Sequence, residues 1–114
     1  KGEENYVEIY EGDGYKRDTS YHQGITWPWL LGLYYNSLKN MIKNSKNKKQ
    51  KVELEEKLEK FRAQIYKTFK NELNDNGCIG SIAELYDSVK PNLPKGAIAQ
   101  GWSVAEVFRI ILGK

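Results

Sequence analysis

The chain has 114 residues and a net charge of +3, enough for one small domain or a piece of a larger one. It contains no long apolar run and no secretory pattern, so neither a membrane span nor an export address is expected. The single Cys78 cannot form an internal disulfide and has no neighbour to activate it, which points to a reducing, cytoplasmic setting and away from thiol catalysis.

The first twenty residues are rich in Gly and acids, and only Tyr6-Val7-Glu8-Ile9-Tyr10 alternates, predicting one short strand in an irregular segment. A first helix is predicted from about Thr26, with Pro28 tolerated in its opening turn. Leu30, Leu31, Tyr34, Leu38, Met41 and Ile42 give it an apolar face, and Gly32 is expected to admit another backbone. Asn44 to Gln50 ends this helix. Lys43, Lys46, Lys48, Lys49 and Lys51 crowd that region without an acid, predicting a mobile, solvated connector. With neither arginine nor interleaved aromatics there, no nucleic-acid partner is expected.

A second helix is predicted over Lys51–Asn74, where Leu54, Leu58, Phe61, Ile65, Phe69 and Leu73 form an amphipathic stripe. Asn76-Gly77 supplies its left-handed stop. Cys78 to Gly96 reads as a loop region, punctuated by Gly80, Pro91 and Pro94. The third helix starts at Gln100 or Ser103 and runs to Leu112. Ser103 and Glu106 have capping-box spacing, and Val104, Val107, Phe108, Ile111 and Leu112 form its buried face. The fold class is therefore mainly α, and on periodicity alone a three-helix bundle would satisfy it.

Chemistry concentrates in two aromatic-polar runs. Tyr21-His22-Gln23-Gly24-Ile25-Thr26-Trp27-Pro28-Trp29 lies near one end, and Gly96 to Glu106, containing Gln100-Gly101-Trp102, near the other. Indole faces beside amides, imidazole and carboxylates suit sugars, whose C–H faces lie on rings while their hydroxyls pair with polar groups. Between the runs sits an acidic segment, Ser81-Ile82-Ala83-Glu84-Leu85-Tyr86-Asp87.

Together these segments resemble the C-terminal end of the amylo-1,6-glucosidase domain of glycogen debranching enzymes. The family pattern is close to Tyr-His-x-Gly-x-x-Trp-Pro-Trp, then Gly-Ser-Ile-x-Glu-x-x-Asp, then Arg-Gly-x-x-Ala-Gln-x-Trp-Ser-Val-Ala-Glu. All three appear in that order from Tyr21 onward, with Lys95 at the arginine and Gly101 at the usual alanine. The resemblance implies an (α/α) barrel of which residues 1–114 are a single partial domain, the C-terminal three-helix portion. The first and third helices would line the inside, and the second would pack outside. It also implies an inverting glycoside hydrolase acting on α-1,6 branch points of a branched α-glucan such as glycogen or limit dextrin, with the general acid upstream of this chain.

On that resemblance Glu84 matches the catalytic base. Its setting between Ile82 and Leu85 would partly desolvate a carboxylate and raise its basicity. Asp87 is the rival, read as an orienting or loop-fixing group. His22, Gln23 and Gln100 are expected to bind sugar hydroxyls, and Trp27, Trp29 and Trp102 to offer stacking faces, with Trp29 partly in the core. A lone His gives no metal site, and no cofactor is implied. An isolated fragment would expose apolar surface and self-associate. The alternative is a stand-alone helical module that binds carbohydrate or protein and keeps its aromatics for packing.

Overall fold

A computed structural model describes residues 2–114. The described residues form four helices, α1 (Gly14–Ser20), α2 (Leu30–Asn44), α3 (Lys48–Asp75) and α4 (Gly101–Ile111), and a two-stranded hairpin of β1 (Leu85–Tyr86) and β2 (Pro94–Lys95) between α3 and α4 in the chain. The mainly α reading holds, and α2, α3 and α4 pack against one another pairwise. Their shared core is built from Tyr35, Ile65, Phe69, Ile82, Val107 and Ile110, all buried.

The amphipathic stripe of α3 faces this core as its spacing predicts. Leu54, Ile65 and Phe69 are buried, while Leu58, Phe61 and Leu73 pack against the cluster from its edge. The helix starts earlier than predicted, because the Asn47 side chain accepts from the backbone N–H groups of Lys49 and Gln50 at 3.0 and 3.2 Å. Such a cap removes orphan donors and lets Lys48, Lys49 and Lys51 join the helix. The solvated connector therefore shrinks to Ser45–Asn47. At the other end Asn76 and a left-handed Gly77 stop the helix where expected.

Two helix faces are rotated from their predicted positions. On α2 the buried side chains are Tyr35 and Leu38, while Leu30, Tyr34 and Met41 are exposed. On α4 Val107 and Ile110 are buried, and Phe108 and Leu112 are exposed. On each helix the apolar arc is wider than the strip the core covers, so periodicity marks the arc but not which part of it is buried. Ser103 and Glu106 form no capping box. Gln100 is the N-cap of α4 and Ser103 lies inside the helix, its buried Oγ unpartnered. The start is set instead by the Gln100 N–H bond to the Ile82 carbonyl at 2.9 Å.

Glu106 has a different partner. Its carboxylate accepts from Arg109 at 2.5 Å, and Arg109 also donates to Asn36 Oδ1 at 2.9 Å and to the Gly32 carbonyl at 3.4 Å. A Cβ at Gly32 would run into the Glu106 carboxylate. Gly32 thus admits an ion pair from α4, not the backbone that its position in α2 suggested.

Arg62 performs a comparable task between α3 and α4. It donates to the carbonyls of Ile110 and Ile111 at 3.0 and 2.9 Å, satisfying the open C-terminal end of α4. Its pairing with the exposed Glu59 contributes little. Arg62→Ala is expected to lower stability by roughly 1.5–3 kcal/mol, the usual range for charge-assisted hydrogen bonds. A lower urea midpoint at unchanged m-value would register it.

Tyr6–Tyr10 forms no strand. Val7 N–H bonds to the Gln23 carbonyl, Ser88 N–H to the Glu8 carbonyl, and Tyr10 N–H to Asp87 Oδ1 at 2.8 Å. These bonds go to different segments, so no ladder can build. The short helix α1, missed from sequence, is capped by Asp13, whose Oδ1 accepts from Lys16 N–H at 2.9 Å. Among the described residues no helix is long and apolar enough to cross a membrane.

Candidate active site

The loop region predicted from Cys78 to Gly96 contains the hairpin that organises the site. Leu85 pairs with Lys95 and Tyr86 with Pro94. Thr26 joins as an isolated antiparallel bridge to Tyr86, with reciprocal N–H bonds of 2.9 and 2.8 Å. Strands of two residues leave no periodic trace in a sequence. Their effect is large, because they lay the Tyr21–Trp29 run, the acidic segment and the start of the Gly96–Glu106 run side by side.

Glu84 stands one residue before β1, half-buried, while its neighbours Ile82 and Leu85 are fully buried. Its backbone N–H bonds to the Ala97 carbonyl at 2.9 Å. In return the Ala97 N–H donates to Glu84 Oε2 at 3.0 Å. The other oxygen, Oε1, accepts a short hydrogen bond from the Tyr21 hydroxyl. Each segment of the sequence pattern thereby contributes one group: a phenol, a carboxylate and a backbone amide. Gly96 adopts φ +68°, and a Cβ there would strike the Glu84 carboxylate, so both its conformation and the room it leaves require glycine. A carboxylate has about four lone-pair sites, and two donors leave capacity to accept from a water.

Tyr21 is held from several sides. Trp27 meets it edge-on at 4.6 Å between ring centroids, and Tyr10 lies tilted at 5.7 Å. The Trp27 indole N–H donates to the Tyr21 carbonyl at 3.1 Å. Its hydroxyl is pushed up to about 12, first by the bond to Glu84, then by burial and the carboxylate charge.

The remaining predicted site residues fall into three settings. His22 is exposed and stacks on the buried Trp27 at 5.3 Å with 15° between planes. Gln23 is exposed too, its backbone bonded to Ser20 and Val7. Trp29 packs on the Ile25, Trp27 and Leu85 cluster and stacks against Trp102 at 5.9 Å. The two tryptophan runs therefore meet through this pair, at the N-terminal ends of α2 and α4. Trp102 remains 51% exposed. Gln100 is half-buried, and no side-chain hydrogen bond caps α4 from it.

Asp87 has partners of its own. Only 3% exposed, it accepts from Tyr10 N–H and lies 3.6 Å from Lys95 Nζ. Lys95, at the position of the pattern's arginine, thus supplies a cation to Asp87. Gly101, the other departure, is the first residue of α4, and a Cβ there would meet nothing within 4 Å.

One cavity lies apart from these groups, while another, of about 490 Å³, has Gln23 in its lining. The first, of about 370 Å³, opens beside Pro28, Leu31, Phe69, Glu72, Tyr86 and Pro91. None of the predicted site residues lines it. Glu84 is half-buried and lines neither of these cavities, and the convergence of three segments on its carboxylate marks the site. Tyr21 directly precedes His22 in the run, yet no local pattern in the sequence pairs it with Glu84. Among the described residues no cluster of His, Cys, Asp and Glu could hold a metal ion.

Searches of curated proteins and solved structures give no match to this chain. The family model for amylo-alpha-1,6-glucosidase matches residues 1–109. That span takes in the Tyr21–Trp29 run, the Glu84 segment and most of α4, so the chain belongs to the amylo-alpha-1,6-glucosidase family.

Proposed function

We propose that this chain is the closing portion of an (α/α) barrel glucosidase that hydrolyses α-1,6 branch linkages of a branched α-glucan with inversion, and that Glu84 is its general base. One observation carries the reading: Tyr21, Glu84 and Ala97, one from each segment of the family pattern, converge on a single carboxylate. An inverting hydrolase needs a carboxylate to take a proton from water and an acid, about 6.5–9.5 Å away, to protonate the leaving oxygen. The acid partner is assigned, on the family pattern, to a segment outside these 114 residues.

Around the base, exposed His22 and Gln23 are placed to meet hydroxyls, and Trp102 offers an indole face supported by Trp29. Trp27, buried beneath His22 and Tyr21, serves as a floor that holds both. Gln100 marks the helix end nearest the acid segment, and Asp87 braces the hairpin through Tyr10 and Lys95. The pairwise packing of α2, α3 and α4 suits two inner helices with an outer one between them. Exposed Leu30, Leu33, Phe108 and Leu112 would then face the rest of the barrel. Left alone, these faces should drive self-association.

The parent enzyme should release glucose from a limit dextrin with the β-anomer appearing first, as proton NMR of the nascent sugar would record. Release of α-glucose first would rule out inversion. The 114-residue chain by itself should release none, and robust release by it would show that no upstream acid is required. Neutralising Lys43, Lys46, Lys48, Lys49 and Lys51 together should leave parental turnover within about twofold, since they are exposed and surface charges act weakly through solvent.

A further inference from the structure

We propose that Tyr21 is the positioning residue of this site, its hydroxyl fixing the Glu84 carboxylate in the orientation from which it acts. The inference rests on Glu84 being the base and adds a role that the base assignment does not contain. A carboxylate at the end of a flexible Glu side chain samples several rotamers, and a general base must instead hold one oxygen toward its water. Here both oxygens are tied: Oε1 by the Tyr21 hydroxyl and Oε2 by Ala97 N–H at 3.0 Å. The amide belongs to a backbone pair that already fixes Glu84 N–H to Ala97, so that tie is rigid. The phenol is rigid for other reasons, with Trp27 and Tyr10 against its ring and the Trp27 indole N–H on its own carbonyl.

Two further features fit a donor and not mere packing. A Phe at this position would keep every ring contact, so the hydroxyl has no packing task. The hydroxyl also stays protonated, being pushed up to about 12 chiefly by Glu84 itself. It therefore remains a donor to the carboxylate, and no second base, at any pH below about 12.

Tyr21→Phe in the parent enzyme should lower kcat by roughly 10–100-fold, the scale of a lost orientation, with KM within about threefold. Added to Glu84→Gln, it should cost nothing more, because it acts through Glu84. In the 114-residue chain, Glu84→Gln should return one late-ionising tyrosine from about 12 toward about 10 in an absorbance titration at 295 nm. That arm needs no Tyr21 variant and stands if Tyr21→Phe fails to fold. An inactive Glu84→Gln beside a fully active Tyr21→Phe overturns the positioning role and leaves the base in place. Additive losses, or a titration that Glu84→Gln does not move, overturn it as well. A fully active Glu84→Gln removes the base, and Tyr21's role goes with it.

Discussion

Replacing Glu84 with Gln in the parent enzyme is expected to lower kcat by roughly 10²–10⁴-fold, the contribution of a positioned general base. Gln keeps the shape and can still accept from Tyr21 and Ala97, so binding should change little. What it loses is the oxygen able to take a proton from water. Asp87→Asn makes the comparison. Asn retains an acceptor for Tyr10 N–H but drops the charge that faces Lys95, so its cost should fall mainly on stability, with kcat within about tenfold. Near-normal turnover in Glu84→Gln together with an inactive Asp87→Asn would transfer the base to Asp87.

The second large effect concerns a buried polar pair beneath the hairpin. The Tyr86 hydroxyl donates to Glu72 Oε1 at 2.6 Å and accepts from Ala83 N–H at 3.2 Å, while Asn76 donates to Glu72 Oε2 at 2.8 Å. Glu72 is only 9% exposed and has no cation beside it among the described residues. Tyr86→Phe would keep the ring against Phe69 but remove a donor from a buried carboxylate. A loss of roughly 1.5–3 kcal/mol is expected, since the abandoned group retains its desolvation cost. Burial, followed by the bond to Glu72, pushes the Tyr86 hydroxyl well above its ordinary range.

The sign of the alkaline response follows from that shift. An unfolded tyrosine ionises near pH 10 whereas the folded one holds its proton longer, so the unfolded chain binds fewer protons above pH 10. Stability is complete below that pH and falls as pH rises beyond it. Tyr21 adds a smaller fall, within the window from about 10 to about 12. Urea melts at pH 8 and pH 11 should show a loss that shrinks in Tyr86→Phe. An equal loss in both proteins would show that Tyr86 does not govern it.

Legibility in the sequence followed the strength of each local signal. The α3 stripe was plain because six apolar residues at helical spacing face a charged side. On α2 and α4 the helices were visible but their inward faces were not, since Tyr34 and Tyr35 are equally apolar and only tertiary packing buries Tyr35. The Asp13 cap was too short a cue to reveal α1 within a Gly-rich stretch. Likewise, the two-residue strands and the Thr26 bridge have no pattern of their own. The Glu84 segment stood out by resemblance, in the order of three motifs. Its partners did not, because the Tyr21 bond spans 63 positions and the Ala97 amide is a backbone group that no side-chain motif records.

Azide rescue tests the role of Glu84 most directly. Glu84→Ala in the parent enzyme removes the base and opens space for a small anion. Given an α-glucosyl fluoride and azide, the azide needs no proton removed. It bonds to the anomeric carbon from the face where Glu84 would activate water, and fluoride departs from the other. Azide should accelerate turnover of Glu84→Ala and yield the β-glucosyl azide, with no such product from the unaltered enzyme. Absence of any azide adduct, or an adduct of α configuration, would contradict that role.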